Sequence, residues 1–296
     1  MKKGINRVAS AENSIPGIRR ICLIGDPGCD GLGAATMSMF ARALAFQPAD
    51  LKFVLGDLVP FGLEQLYRNV QDVIDAVADT PVYALCGNHD TEYYSDYFGL
   101  RNYTLDAGNF LIIVLDNSKR RFSAEALALF DEAIRKNTHD KVMVYFHIPP
   151  PNVITGNSLA EENWKPFRDI YLPWKDRIGL FACGHVHAYF EDSIDGIPLV
   201  VTGGGGARIE FVHDSLDERS SRHHVVSVAH EGGMLRHAYE PLDNAVYDTE
   251  LKDGRLVVML EKALANEFAA HFKYRLMAEE AFAKYGPDNP SLAKLF

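Results

Sequence analysis

Eight residues of this chain carry side chains that hold cations or move protons, and they recur in one pattern: Asp26, Asp57, Asn88, His89, Asp90, His147, His185 and His187 all follow short apolar runs. Ile21-Cys22-Leu23-Ile24 runs into Gly25-Asp26, and Phe53-Val54-Leu55 into Gly56-Asp57. Pro81 to Leu85 leads to Cys86-Gly87-Asn88-His89-Asp90, and Val142 to Phe146 leads to His147. Leu180-Phe181-Ala182-Cys183 leads to Gly184-His185-Val186-His187. Carboxylate, amide oxygen and imidazole are hard-to-borderline ligands, suited to Mn, Fe or Zn. An extended backbone across His185-Val186-His187 turns both imidazoles to one side. Asp57, on the middle one of the first three strands, is well placed to bridge two ions. Such a pair, about 3.5–4 Å apart, clamps a phosphate and activates a water. Any one of these residues alone reads as a turn, a cap or a hydrogen-bonded core group. Five strand tips in succession read as a site.

The elements that must position them alternate. A strand at 18–25 is followed by a glycine-rich loop from Pro27 to Gly33 and a helix near 34–46. A strand at 51–56, a helix near 63–78 and a strand at 81–86 complete a β-α-β-α-β half, for which right-handed crossovers and a mostly parallel sheet are expected. In open α/β sheets ligands bind at the carboxyl ends of the strands. Tyr103-Thr104-Leu105 and Phe110 to Leu115 read as a hairpin, and Ser123 is placed to cap a helix over 123–136. A strand at 141–146 stops at His147 and Pro149-Pro150-Pro151, which forbid further ladder or helix. An insertion at 152–175 carries Trp164 and Trp174. After a strand at 178–183 the pattern is purely β: 188–192, 197–202, 223–230 and 234–240. The run Gly203 to Gly206 marks either a close backbone approach or a sharp turn. Residues 1–17 read as a loose leader, 18–240 as the main domain and 241–296 as a helical extension.

Composition narrows the partners. Of 296 residues, 47% are hydrophobic and 24% charged, ordinary values for a water-soluble globular chain. A net charge of −10 argues against a nucleic-acid partner, which is gripped by clustered Lys and Arg. It is compatible with a small phosphorylated substrate, since bound cations supply local positive charge. No apolar run approaches the roughly 20 residues that cross a bilayer. No secretory leader is evident. Cys22, Cys29, Cys86 and Cys183 are read as reduced thiols, and the expected compartment is the cytoplasm.

The order Gly25-Asp26, Gly56-Asp57, Gly87-Asn88-His89-Asp90, His147, Gly184-His185-Val186-His187 resembles the calcineurin-like metallophosphoesterases over roughly residues 18–240. The resemblance implies an α/β fold of two mixed β-sheets packed face to face, with helices outside and a two-metal site along one edge. It also implies that one metal takes Asp57, Asn88, His147 and His185, and the other Asp26, Asp57 and His187. The activity implied is hydrolysis of phosphoesters, monoester or diester, by metal-activated water. His89 then stabilises developing charge or protonates the leaving oxygen, with Asp90 holding its tautomer.

The first motif departs from the family. Most members carry Asp-x-His, whereas this chain has Asp26-Pro27-Gly28. Asp-x-Gly resembles the purple acid phosphatases, as does Gly184-His185-Val186-His187-Ala188-Tyr189, but their compensating tyrosine is replaced here by Pro60. The first metal position is thus one protein ligand short. Water completes it, Asp30 or Cys29 swings in from the adjoining loop, or the ion binds weakly; water or Asp30 is expected over Cys29. The missing ligand also motivates an alternative function, a degenerate metal-binding or scaffolding module pairing through its tail.

That tail reads as one helix from about Arg255 to Tyr285, with Leu260, Leu264, Phe268, Phe272 and Leu276 in a stripe. Its Glu267, His271 and Tyr274 resemble the first helix of rubrerythrin-like ferritins, but such sites draw carboxylates from four helices. Packing, or homo-oligomerisation through this helix, is the expectation. Of the other histidines, His213, His223 and His224 are candidates to touch substrate, and His230 and His237 are read as packing or surface residues.

Overall fold

A computed structural model describes residues 2–29, 34–210, 212–232 and 234–242. The expected C-terminal helix, with Glu267, His271 and Tyr274, and the candidate Asp30 lie outside the described residues. In chain order the first strands are β1 (Gly4–Ile5), β2 (Glu12–Ser14), β3 (Arg20–Ile24), β4 (Leu51–Val54) and β5 (Pro81–Ala84). Then come β6 (Tyr103–Asp106), β7 (Leu111–Val114), β8 (Val142–Tyr145) and β9 (Ile178–Cys183). The last are β10 (Tyr189–Ile194), β11 (Ile197–Thr202), β12 (His224–Glu231) and β13 (Met234–Pro241). The main helices are α1 (Ala34–Ala45), α2 (Glu64–Val77), the short α3 (Tyr94–Tyr97), α4 (Ala124–Lys136) and α5 (Glu161–Tyr171).

The strands form two mixed sheets. One has six strands in the order β1-β5-β4-β3-β12-β13, the other seven in the order β10-β11-β9-β8-β7-β6-β2. Within the first, β3, β4 and β5 run parallel, as the β-α-β-α-β pattern requires. In the second, β7, β8 and β9 run parallel, while β6 and β7 pair antiparallel as the expected hairpin. The loose leader expected at 1–17 is corrected: β1 pairs parallel with β5, and β2 parallel with β6. Strands of two and three residues leave no period to read, and here they cover the open edge of a sheet.

Three buried layers follow from strand alternation. On β3, Ile21 and Leu23 face the other sheet, while Cys22 and Ile24 face the helices. The middle layer joins Leu23, Phe53 and Leu85 of one sheet to Ile112, Tyr145 and Leu180 of the other. α1 and α2 cover the outer face of the first sheet with Phe40, Leu44, Leu66 and Val70. α4 and α5 cover the second with Phe130, Ile134, Trp164 and Phe167. Ser123 caps α4 as expected, its side chain accepting the Ala126 N–H. The result is a four-layer α/β/β/α arrangement, the two packed mixed sheets that the family resemblance implies.

Trp164 is 2% exposed and sits among Phe122, Phe146, Phe167, Tyr171 and Phe181, so it anchors the 152–175 insertion to the second sheet. Trp164→Ala is expected to cost about 3–5 kcal/mol, from lost burial and the cavity left behind. Urea unfolding measures it; a loss below about 1 kcal/mol would mean the insertion is held elsewhere.

Candidate metal centre

The strand tips of both sheets meet along one seam. Asp26, Asp57 and Asn88-His89-Asp90 follow β3, β4 and β5 of the first sheet, while His147 and His185-Val186-His187 follow β8 and β9 of the second. Asp26, Asp57 and His185 take positive φ of 51°, 53° and 71°. That region costs a non-glycine residue about 1–3 kcal/mol and persists only where the surroundings impose it. Glycine makes the close approach possible: a Cβ on Gly87 would lie 2.1 Å from Oδ1 of Asp57, and one on Gly184 2.5 Å from Oδ2 of Asp26. The Gly203–Gly206 run serves close approach too. None of the four takes a positive φ, and a Cβ on Gly203 would lie 2.1 Å from the Val186 carbonyl oxygen.

Around His147, four donor atoms converge. Its Nδ1 donates to the Leu55 carbonyl at 2.8 Å, which directs Nε2 into the seam. Nε2 lies 3.0 Å from Asn88 Oδ1, 3.3 Å from Asp57 Oδ2 and 3.2 Å from His185 Nδ1. His185 is oriented through its other nitrogen, Nε2, which donates to Asn157 Oδ1 at 2.9 Å. Three acceptors therefore surround one imidazole nitrogen, and a single proton there cannot satisfy them all. A cation can, and the N,N,O,O donor set fits one.

A second group joins the Asp26 carboxylate, His187 and Cys29, with one ligand atom of each within 4.8 Å of the others. Asp26 accepts the His185 backbone N–H at 3.0 and 2.8 Å. His187 Nδ1 donates to the Arg208 carbonyl at 3.1 Å, and its Nε2 lies 2.9 Å from Cys29 Sγ. Cys29, expected to rank behind water and Asp30, is the loop residue that the described structure brings to this position.

The sequence-predicted residues are thus gathered at one place, with one role reassigned. Asp90 was expected to hold the His89 tautomer, but its Oδ1 accepts N–H groups of Leu58 and Val59 and its Oδ2 that of Gly87. His89 Nδ1 instead donates to the Pro60 carbonyl at 2.9 Å, and the His89 N–H donates to Asp57 Oδ1. Asp90 ties the β4 tip to the β5 tip. Pro60, where a tyrosine was missed, supplies the carbonyl that orients His89.

Among the remaining histidines, His224 is buried and bonded to Thr202 Oγ1 and the Arg222 carbonyl, and His223 to the Gly204 carbonyl. His213 pairs locally with Ser215. His230 packs on Phe110 and Asn109, and His237 faces Glu191. Sequence reasoning missed Asn117, whose Oδ1 accepts the N–H groups of His147 and Ile148 and whose amide donates to the Ile148 carbonyl. The signal was present, since Leu111 to Leu115 is a sixth apolar run ending in Asp116-Asn117. It also missed Arg120, which donates to Asn157 Oδ1 at 2.9 Å, one hydrogen bond out from His185.

Burial and charge set the titration of this cluster. Burial raises the Asp26 carboxyl well above its usual range and lifts Asp90 to about 7. Burial opposes the ionisation of Asp57 too, but His147 outweighs it and holds Asp57 low. Burial likewise disfavours charge on His147, yet the Asp57 carboxylate raises it to about 9. His185 falls to about 2 through burial and the His147 charge.

A family model described as calcineurin-like phosphoesterase matches residues 19–189. Among curated proteins, none matches this sequence. A dimetal phosphatase from Danio rerio superposes with a TM-score of 0.55 at 12% identity, covering 76% of this chain and 96% of its own. GAP50, the anchor in the inner membrane complex of Plasmodium, also gives 0.55, at 13% identity over 76% and 89% of the two chains. At such identities the likeness is one of fold. Among the described residues no helix is long and apolar enough to cross a membrane.

A pH prediction follows from His147. Its stabilising pairing with Asp57 is fully present below the ordinary imidazole value of 6.5 and is lost as pH rises through about 9. Asp26 and Asp90 are also raised, so their contributions likewise fall with rising pH; those of Asp57 and His185 are lost towards acid. The metal-free protein should therefore lose melting temperature between pH 7 and about 9.5, and added Zn(II) should restore more of it at pH 9 than at pH 6.5. A flat profile that His147→Gln leaves unchanged would show that the pair is not ionic.

Proposed function

This chain belongs to the calcineurin-like phosphoesterase family, and we propose that it hydrolyses phosphate esters of small molecules with two bound cations. The observation that carries this reading is the meeting of two ligand groups, Asp57-His147-His185 and Asp26-Cys29-His187, along one seam between the sheets. Asp57, Asn88, His147 and His185 would hold one cation, and Asp26 and His187 the other, with Asp57 shared. When bound, such ions draw charge off phosphoryl oxygens and acidify water.

The protein's own side chains do the rest. His89 is half-buried, and its ring is fixed by the Pro60 carbonyl through Nδ1. In its imidazolium form the ring would keep the Nδ1 proton on the Pro60 carbonyl and donate the Nε2 proton to the departing oxygen. The His89 N–H to Asp57 Oδ1 bond keeps that ring in register with the ligand carboxylate. Arg120, exposed and tied to Asn157, adds positive charge at the rim, where a phosphate dianion arrives. The 152–175 insertion reaches the centre through Asn157, so the shape of the ester's organic part is read there.

The assay uses purified, metal-stripped protein with added Mn(II), on p-nitrophenyl phosphate and bis-p-nitrophenyl phosphate. Turnover of at least one is expected. Asn88→Ala and His147→Ala should lower it by about 100-fold or more with the circular dichroism spectrum unchanged. His89→Ala should slow an alkyl phosphate by about 10²–10⁴-fold and the nitrophenyl ester far less, because a good leaving group needs no proton. No turnover on either ester, with less than one ion bound per chain, would overturn the enzymatic reading. Full activity of His89→Ala on the alkyl ester would remove its acid role.

A further inference from the structure

We propose that Cys29 is a protein ligand of the first cation position, completing an Asp26/Cys29/His187 donor set that favours a thiophilic ion such as Zn(II) over Mn(II) or Mg(II). The inference rests on the two-cation reading above and concerns which ion one of its positions takes. The chain lacks both the histidine two residues after Asp26, where Gly28 stands, and the tyrosine at position 60. A sulfur one residue further along fills the gap.

The turn that delivers it is held on several sides. Asp26 takes a positive φ, and Gly28 N–H donates to the Asp57 carbonyl at 2.9 Å. Ala207 N–H donates to the Asp26 carbonyl at 2.9 Å. Gly206 packs so tightly on Pro27 that a Cβ would lie 2.5 Å from its carbonyl oxygen. Cys29 is 3% exposed as a result, with Sγ 2.9 Å from His187 Nε2. Because His187 Nδ1 donates to the Arg208 carbonyl, Nε2 presents its lone pair towards that sulfur.

The other three cysteines give the contrast. Cys22, Cys86 and Cys183 are core thiols whose sulfurs donate to the backbone carbonyls of Ala43, Asp90 and Val200. Cys29 alone of the four faces an imidazole nitrogen, with a carboxylate beside it. A packed S–H to imidazole hydrogen bond accounts for the sulfur–nitrogen pair, and the His185 N–H for part of the acceptor capacity of Asp26, but neither joins the three side chains. A cation accounts for all three. Thiolate and imidazole select Zn and Fe, whereas Mg and Mn prefer oxygen donors. Binding replaces the Sγ proton with the ion and releases that proton to solvent. The Asn88 position has no sulfur, so the two positions differ in softness.

Cobalt(II) titration of the full-length, metal-stripped protein tests this. The wild type should develop a near-ultraviolet thiolate-to-cobalt charge-transfer band that saturates at one equivalent. Cys29→Ser should lose the band, keep one cobalt per chain, and lose about 10- to 100-fold of its Zn(II) affinity at the first position by calorimetry. X-ray absorption of the zinc-loaded wild type should show one sulfur at about 2.3 Å, which needs no variant to fold. Two cobalt ions bound without the band, or a zinc shell free of sulfur, would overturn the role of Cys29 while leaving the two-cation reading standing. No cobalt bound by the wild type would instead overturn that underlying reading.

Discussion

Two side chains that carry charge, Asp57 and His147, face each other 3.3 Å apart across the seam between the sheets, both almost wholly out of water. A buried ion pair is seldom a net gain in stability, because desolvation offsets most of the attraction. What it secures here is position. One partner ends β4 of the first sheet and the other ends β8 of the second, so the seam is tied where the ligands must converge. The neighbouring groups answer the same need: Leu55 takes the Nδ1 proton of His147, the His89 N–H meets Asp57 Oδ1, and Asn88 and His185 close the ring around Nε2.

That constraint explains why the strand tips carry glycine. A ligand ring assembled from two sheets brings backbones closer than side chains allow. Gly87 and Gly184 occupy the positions where a methyl group would strike Asp57 and Asp26. The left-handed turns at Asp26, Asp57 and His185 are the same demand expressed in the residues that cannot be glycine, because their side chains are needed. Gly-Asp and Gly-His at strand ends are thus a packing requirement first and a turn preference second.

The architecture was legible because β3, β4, β5, β8 and β9 are largely apolar runs, as strands buried on both faces must be, and because each of these five is followed by a candidate ligand. β1 and β2 were not, since two or three residues show no period and their pairing is supplied by an edge that already exists. Asn117 went unread although it too follows an apolar run, because it holds the His147 loop through backbone groups, a role that an amide shares with any turn residue. Asp90 was misassigned by adjacency to His89. Neighbours in sequence diverge in direction, and the buried carboxylate found three backbone N–H groups instead. A loop cysteine has no periodicity to place it; the clamped turn is what brings Cys29 Sγ to 2.9 Å from His187 Nε2.

The two candidate cation positions therefore differ in what builds them. Around His147, both imidazoles are set by hydrogen bonds from their outer nitrogens, and the carboxylate and amide come from adjacent tips of one sheet. That position is assembled largely by the fold. The other draws on a short turn, on the Arg208 carbonyl and on Gly205 and Gly206, which press against Gly25 and Pro27. It is assembled by loops, which the sequence is free to vary without disturbing either sheet. On the proposed reading, glycine in place of histidine after Asp26 is tolerable there, because Cys29 of the same turn would supply a donor. So read, the departure from the family's first motif would change the chemistry of one position and leave the scaffold of both sheets as it is.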